Sequence, residues 1–416
     1  MALVLGSFPL VPVVVIQLVF VAFSAVKIIN DGYFRVNRQI LNLFKVLLPF
    51  LIYSVLSSFF LTLLFEGIPV FSPKLGIDDQ VDAQTPLVFS ASNIGQSFYL
   101  FLNVFSVVAA VQIGFKVGAR KVLNVWLLSG FIAAFFAFYQ KLSQMGVVSF
   151  PTNFLKSNTI YDQAIDVTIG DFERISGTFT ESSYAGNCIA TFFVYYLLLL
   201  VLGRSNLKNI VLCCIYAWAT IITTSSIGYI QIIAGLGLAV IFFNKKAFFP
   251  IITILLVFFV FGFSFLNSEL LSVVLLEKTD SLSFLNRISS DIYSFGLFVS
   301  TDFLGVGLGS NRPSSFLMYM LSNVGLLGSI LFFVFISMVI RLAFINKQCL
   351  ISEKLALVGA LISHLVGKLV GSPDLNFWFF WVLISVCIVV FSVEEGVSRK
   401  SLRKNDRDLG AVDAYQ

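Results

Sequence analysis

IVLCCIYAWATIITTSSIGYIQIIAGLGLAVIFF, residues 210–243, carries no charged side chain. Built as one helix, these 34 residues would extend roughly 50 Å, against a bilayer hydrocarbon core of about 30 Å. Arg204 and Lys208 precede the run and Lys245 and Lys246 follow it, so both ends belong on one basic side of a membrane. Two crossings are needed, and the polar knot Thr223–Ser226 supplies the turn. The stretch predicts two short, tightly joined helices. It places the chain among all-α, polytopic membrane proteins.

The rest of the sequence extends this reading. Only 12% of residues are charged, about half the share in a soluble domain, and 58% are hydrophobic. Apolar runs recur at 3–29, 46–65, 97–115, 122–140, 184–203, 248–265, 315–340, 355–370 and 377–393. With the two crossings above, that makes about 11 spans (10–12) in a single integral membrane domain, 1–416. Pro9 and Pro12 interrupt the first run, which leaves a broken or re-entrant pair open there. That run is too long for a cleavable signal and has no basic leader. The segments 141–182 and 266–314 are long loops, and 394–416 is a basic tail. Alternating sides puts about two thirds of the 27 Lys and Arg on one face, which is then cytoplasmic. Both long loops and the N-terminus fall on the other. The 47 Phe suit lipid-facing and packing surface, and the five Cys show neither disulfide nor metal-ligand spacing. The net charge of +5 follows topology and gives no nucleic-acid signal.

Four features on or near the outer face carry chemistry, and each has a plainer reading. In RISGTFTESS, Arg174 and Glu181 flank a turn at Gly177. Glu181, Ser182 and Ser183 suit a helix cap, or an anion site with a carboxylate able to accept a proton. Leu285, Ile288, Ile292, Phe295 and Val299 form an apolar stripe. The helix they define lies in the membrane interface with Arg287 and Asp291 as a surface pair, or aims Arg287 inward at a diphosphate. GVGLGSNRPSS, 305–315, is a flexible turn, or a glycine cradle with Arg312 for phosphate. His364 and Lys368, four apart in the tenth span, mark a site, or bond a neighbour and snorkel outward.

ERISGTFTESSYAG and NRISSDIYSFGLFVSTDFLGVGLGSNRPSSFLMYMLSNVGLLG together resemble the O-antigen polymerase and ligase superfamily of bacterial polysaccharide assembly proteins. The former is similar to that family's Arg-x-x-Gly-x-Phe-x-Glu-x-Ser segment. The latter is similar to its outer-loop helix, glycine turn and following helix. The resemblance implies a metal-independent enzyme of the bacterial inner membrane, without cofactor, acting on the periplasmic face. It would polymerise undecaprenyl-diphosphate-linked oligosaccharides. Arg174, Arg287 and Arg312 match its diphosphate-binding arginines, Glu181 is the candidate base, and His364 and Lys368 would add positive field. The implied partners are the lipid-linked oligosaccharide, membrane lipid, a chain-length regulator and a flippase, with no nucleic acid.

Ligases of the superfamily carry a histidine after the glycine turn, and the SNRPSS region lacks one, which favours a repeat-unit polymerase. The rival readings are the ligase, a lipid-linked oligosaccharide flippase or transporter, and a structural membrane subunit. A transporter should show interrupted spans in paired halves with charges near mid-membrane.

Overall fold

A computed structural model of the chain describes residues 3–5, 8–10, 12–31, 37–71, 84–151, 168–169, 172–241, 282–345 and 350–392. The expected eighth span at 248–265, the first part of the second loop and the tail at 394–416 lie outside them. The described residues form an all-α polytopic bundle of eleven helices with three two-stranded hairpins.

The helices are α1 (Pro12–Asp31), α2 (Arg38–Leu64), α3 (Ala91–Val117), α4 (Ala119–Gln144), α5 (Ser182–Val201) and α6 (Leu207–Ile222). They continue with α7 (Ser226–Ile241), α8 (Leu282–Ser300), α9 (Phe316–Ile345), α10 (Ile351–Gly371) and α11 (Trp378–Ser392). Seven of these are long and apolar enough to cross a membrane, and α6, α7 and α11 are shorter apolar helices. The first apolar run divides. Residues 3–10 pair as strands β1 (Leu3–Leu5) and β2 (Phe8–Leu10), and α1 begins at Pro12. Proline is suited to that position because it has no N–H to leave unsatisfied. The run is therefore one helix behind a hairpin, not a re-entrant pair.

Residues 210–243 turn where the polar knot predicts, with α6 ending at Ile222 and α7 starting at Ser226. Helices α6 and α7 pack on α5, which is enclosed by α4, α6, α7 and α10 and is almost entirely buried. Small residues allow this approach. A Cβ on Gly228 would meet the Thr220 methyl at 2.7 Å, and one on Gly235 would meet Val194 at 2.5 Å. Without a hydrophobic drive between helices in lipid, such close van der Waals contact is what holds them. A further group, α2, α3 and α9, joins the first through α11 and through direct contacts of α9 with α10 and α3 with α4, and α1 covers α3. Exposed Ile16, Val19, Phe60 and Leu63 face outward, as lipid contact requires.

The helix ends sort onto two faces. Arg38, Lys116, Arg120, Arg204, Lys208, Arg341 and Lys354 lie at or near helix ends on one. The other, the loop face, gathers the start of α5, the α6–α7 turn, the α10–α11 turn and the start of α9.

Candidate functional site

The loop face is assembled by asparagines. Asn323 of α9 accepts from the backbone N–H of Ser310 (3.0 Å) and Asn311 (2.9 Å) and donates to the Asn311 carbonyl (2.8 Å). Asn311 in turn donates to Ser294 of α8 and Ser322 of α9 and accepts from Phe71 N–H. Asn93 of α3 donates to the Leu308 carbonyl and to Ser310. Buried polar groups left without partners cost about 1–3 kcal/mol each, so this network specifies a single arrangement of the loop.

Phe71 ends β3 (Pro69–Phe71), paired with β4 (Gln84–Pro86), and its carbonyl accepts from Arg312 N–H at 2.9 Å. Phe71 thus holds the Arg312 backbone in place.

The glycine run 305–309 is neither a loose turn nor an anion cradle. It packs into a break in α9, where Gly325 takes φ 65° and ψ −168°. The amides of Val306 and Gly307 bond the carbonyls of Ser322 (2.8 Å) and Asn323 (2.9 Å), and Leu326 N–H bonds the Phe303 carbonyl. Gly307, at φ 96°, lies so close to α2 that a Cβ would sit 2.7 Å from the Ser57 carbonyl. The ninth span is accordingly interrupted, and protein fills the interruption.

The start of α9 is also occupied. Asp291 of α8 accepts from the N–H groups of Ser314 (2.9 Å) and Ser315 (3.0 Å). Asp291 therefore caps a helix instead of pairing with Arg287. The carboxylate occupies two backbone donors immediately before the helix, where an anion would also have to bind.

Around this frame stand the arginines. Arg174 follows the hairpin of β5 (Thr168–Ile169) and β6 (Phe172–Glu173). The next turn is tied down by Gln140 of α4, which accepts from the N–H groups of Ser176 (3.0 Å) and Gly177 (2.7 Å). Arg287 reaches from α8 to the end of α10, where its Nη1 lies 3.3 Å from the Cβ position of Gly371. Burial, and after it the neighbouring Arg287, pull the Arg174 guanidinium below its ordinary pKa, opposed by Glu181 and Tyr229. Arg174 Nε is buried without a hydrogen bond. Two guanidiniums are held within electrostatic reach, and neither forms an ion pair among the described residues.

Arg312 keeps an exposed side chain although surrounding protein desolvates it, which places it in a recess. Asp374, in the α10–α11 turn, is the main influence raising its pKa, with smaller contributions from Tyr184, Glu181 and Tyr319. Glu181 is close enough to act on both Arg174 and Arg312. It occupies the N-cap of α5, but its side chain caps no backbone amide and accepts from Ser183 Oγ at 2.8 Å.

Lys368 does not snorkel. It is fully buried, donates to the carbonyls of Ser372 (3.2 Å) and Asp374 (2.7 Å), and lies 4.7 Å from the Phe316 ring centroid and 5.3 Å from that of Phe380. These contacts pin the turn that carries Asp374. His364, one helical turn deeper, bonds Thr191 through Nδ1 at 3.0 Å and stacks on Phe377 and Phe380. It has no exposed surface and does not open on the recess.

No family model, curated protein or solved structure matches this chain. The site therefore rests on its own geometry. Sequence reasoning missed Asp374 and Tyr184, whose hydroxyl donates to Asp374 Oδ2. SPDLN reads only as a turn, and one signal was available: a lone carboxylate six residues after an intramembrane lysine.

Proposed function

We propose that the chain is a glycosyltransferase of the bacterial inner membrane that joins undecaprenyl-diphosphate-linked oligosaccharides into a polymer. The observation that carries this reading is that Arg174, Arg287 and Arg312, from three separated segments, stand at one end of the bundle, with Arg287 within electrostatic reach of Arg174 and Glu181 within reach of both Arg174 and Arg312. Guanidiniums held together without an ion pair repel one another, and a dianionic ligand relieves that cost. A diphosphate leaving group needs such fixed, permanently charged donors as its negative charge develops. Apolar helices long enough to cross a bilayer suit a prenyl tail, and the positive-inside rule supports a periplasmic location for the recess.

Within the superfamily resemblance, the polymerase is favoured over the ligase. The single histidine is sealed in the bundle, and the recess holds none among the described residues. The break in α9 is filled by residues 303–307, so it lends a transporter no support.

The test is the banding of surface polysaccharide in a deletion strain. Single repeat units on the lipid core are the polymerase outcome. Bare core would point to the ligase or flippase instead.

A further inference from the structure

The geometry points to Asp374 as the group that takes the acceptor's proton, an inference that rests on the polymerase reading and displaces Glu181 from that role. Glu181 acts on Arg174 and Arg312, two of the arginines that would hold the diphosphate, and its Oε2 accepts from Ser183, two residues away on the same segment. Asp374 is placed differently. Its turn is fixed from below by Lys368, which bonds the carbonyls of Ser372 and Asp374 from within a ring of phenylalanines.

Tyr184 donates to Oδ2, which orients the carboxylate; Oδ1 takes no hydrogen bond among the described residues. Arg312, exposed in the recess, acts on Asp374 electrostatically, yet the two form no direct ion pair among the described residues. Between the oriented carboxylate and the exposed Arg312 guanidinium, a sugar hydroxyl can donate to the one while the other faces its oxygen.

The site then divides. Arg174 and Arg287 hold the donor diphosphate, Asp374 and Tyr184 receive the acceptor, and Arg312, which feels both Asp374 and Glu181, serves both sides. The acceptor oxygen forms a bond to the anomeric carbon and its proton passes to Asp374 Oδ1. The bond from the anomeric carbon to the phosphate oxygen breaks, and its electron pair leaves with the diphosphate. No further reactant is required.

The experiment uses the purified full-length protein in detergent with lipid-diphosphate-linked repeat units. Asp374→Asn should slow extension by about 100-fold or more, the contribution expected of a positioned base. Undecaprenyl diphosphate should still raise the thermal unfolding temperature of that variant as it does the wild type. Added formate should recover at least about tenfold of the loss in Asp374→Ala, because a small carboxylate replaces a missing base but not a missing structural contact. The parallel Glu181→Ala variant should show no recovery.

Failure of formate to rescue Asp374→Ala, or near-normal extension by Asp374→Asn, would overturn the assignment. Rescue of Glu181→Ala alone would return the role to Glu181. Both leave the polymerase reading in place, whereas no extension by the wild-type protein removes that reading and this inference with it.

Discussion

Arg287 shows how little a single side chain's sequence context decides. Four residues before Asp291, it reads as half of a surface ion pair worth about 0.3–0.5 kcal/mol. In the fold the two part: Asp291 caps α9 and Arg287 extends over Gly371 toward Arg174. If the guanidinium fork grips phosphate at two points, Arg287→Lys keeps the charge and still loses about tenfold or more in extension of lipid-linked repeats. Full activity in that variant would reduce Arg287 to a point charge. Arg174→Ala removes a permanently charged group from a desolvated position, and the expected result is single-repeat surface glycan with normal protein abundance. A normal glycan ladder would exclude an anion role for Arg174.

Among the elements, α9 is the most constrained. Its break at Gly325 uses a backbone region open essentially to glycine, and a side chain there would run into the Leu304 carbonyl. Gly325→Ala should cost on the order of 1–3 kcal/mol from backbone strain alone. It should release the 303–309 loop, seen as a lower unfolding temperature in detergent and faster proteolysis there. Asp291→Ala strips the cap from α9 and should cost about 1–2 kcal/mol by the same thermal measurement. Asp291→Asn, which keeps an acceptor oxygen, should recover most of that loss. These are effects of position, since neither residue stands in the recess as a ligand group.

For the whole molecule, the arrangement of helix ends makes orientation testable. Met145 at the loop face and Leu207 at the basic face are both well exposed. In a background lacking native cysteines, Met145→Cys should react with a membrane-impermeant maleimide added to intact spheroplasts, and Leu207→Cys only after lysis. The reverse pattern would put the recess in the cytoplasm and end the periplasmic proposal. Chelators should leave extension by purified protein unchanged, and restoration by added metal after chelation would contradict a site built on arginines.

The bundle was legible because burying backbone in lipid allows few solutions. Long uncharged runs must be helices, and the placement of Lys and Arg orders their ends. Residues 210–243 needed nothing more than length and flanking charge to become α6 and α7. The sequence also marks Arg174, Arg287 and Arg312 as cations placed where a lipid-facing chain otherwise avoids charge. It could not tell that Gly305, Gly307 and Gly309 serve packing, since a glycine allows close approach by any neighbour and the neighbours come from α2, α3 and α9. Nor could it join Tyr184 to Asp374, 190 residues apart, or recognise Lys368 as the anchor of that turn. Periodicity and hydropathy are local and set which segments cross. The recess is made by contacts between segments distant in sequence, and only the packed helices decide which charges meet.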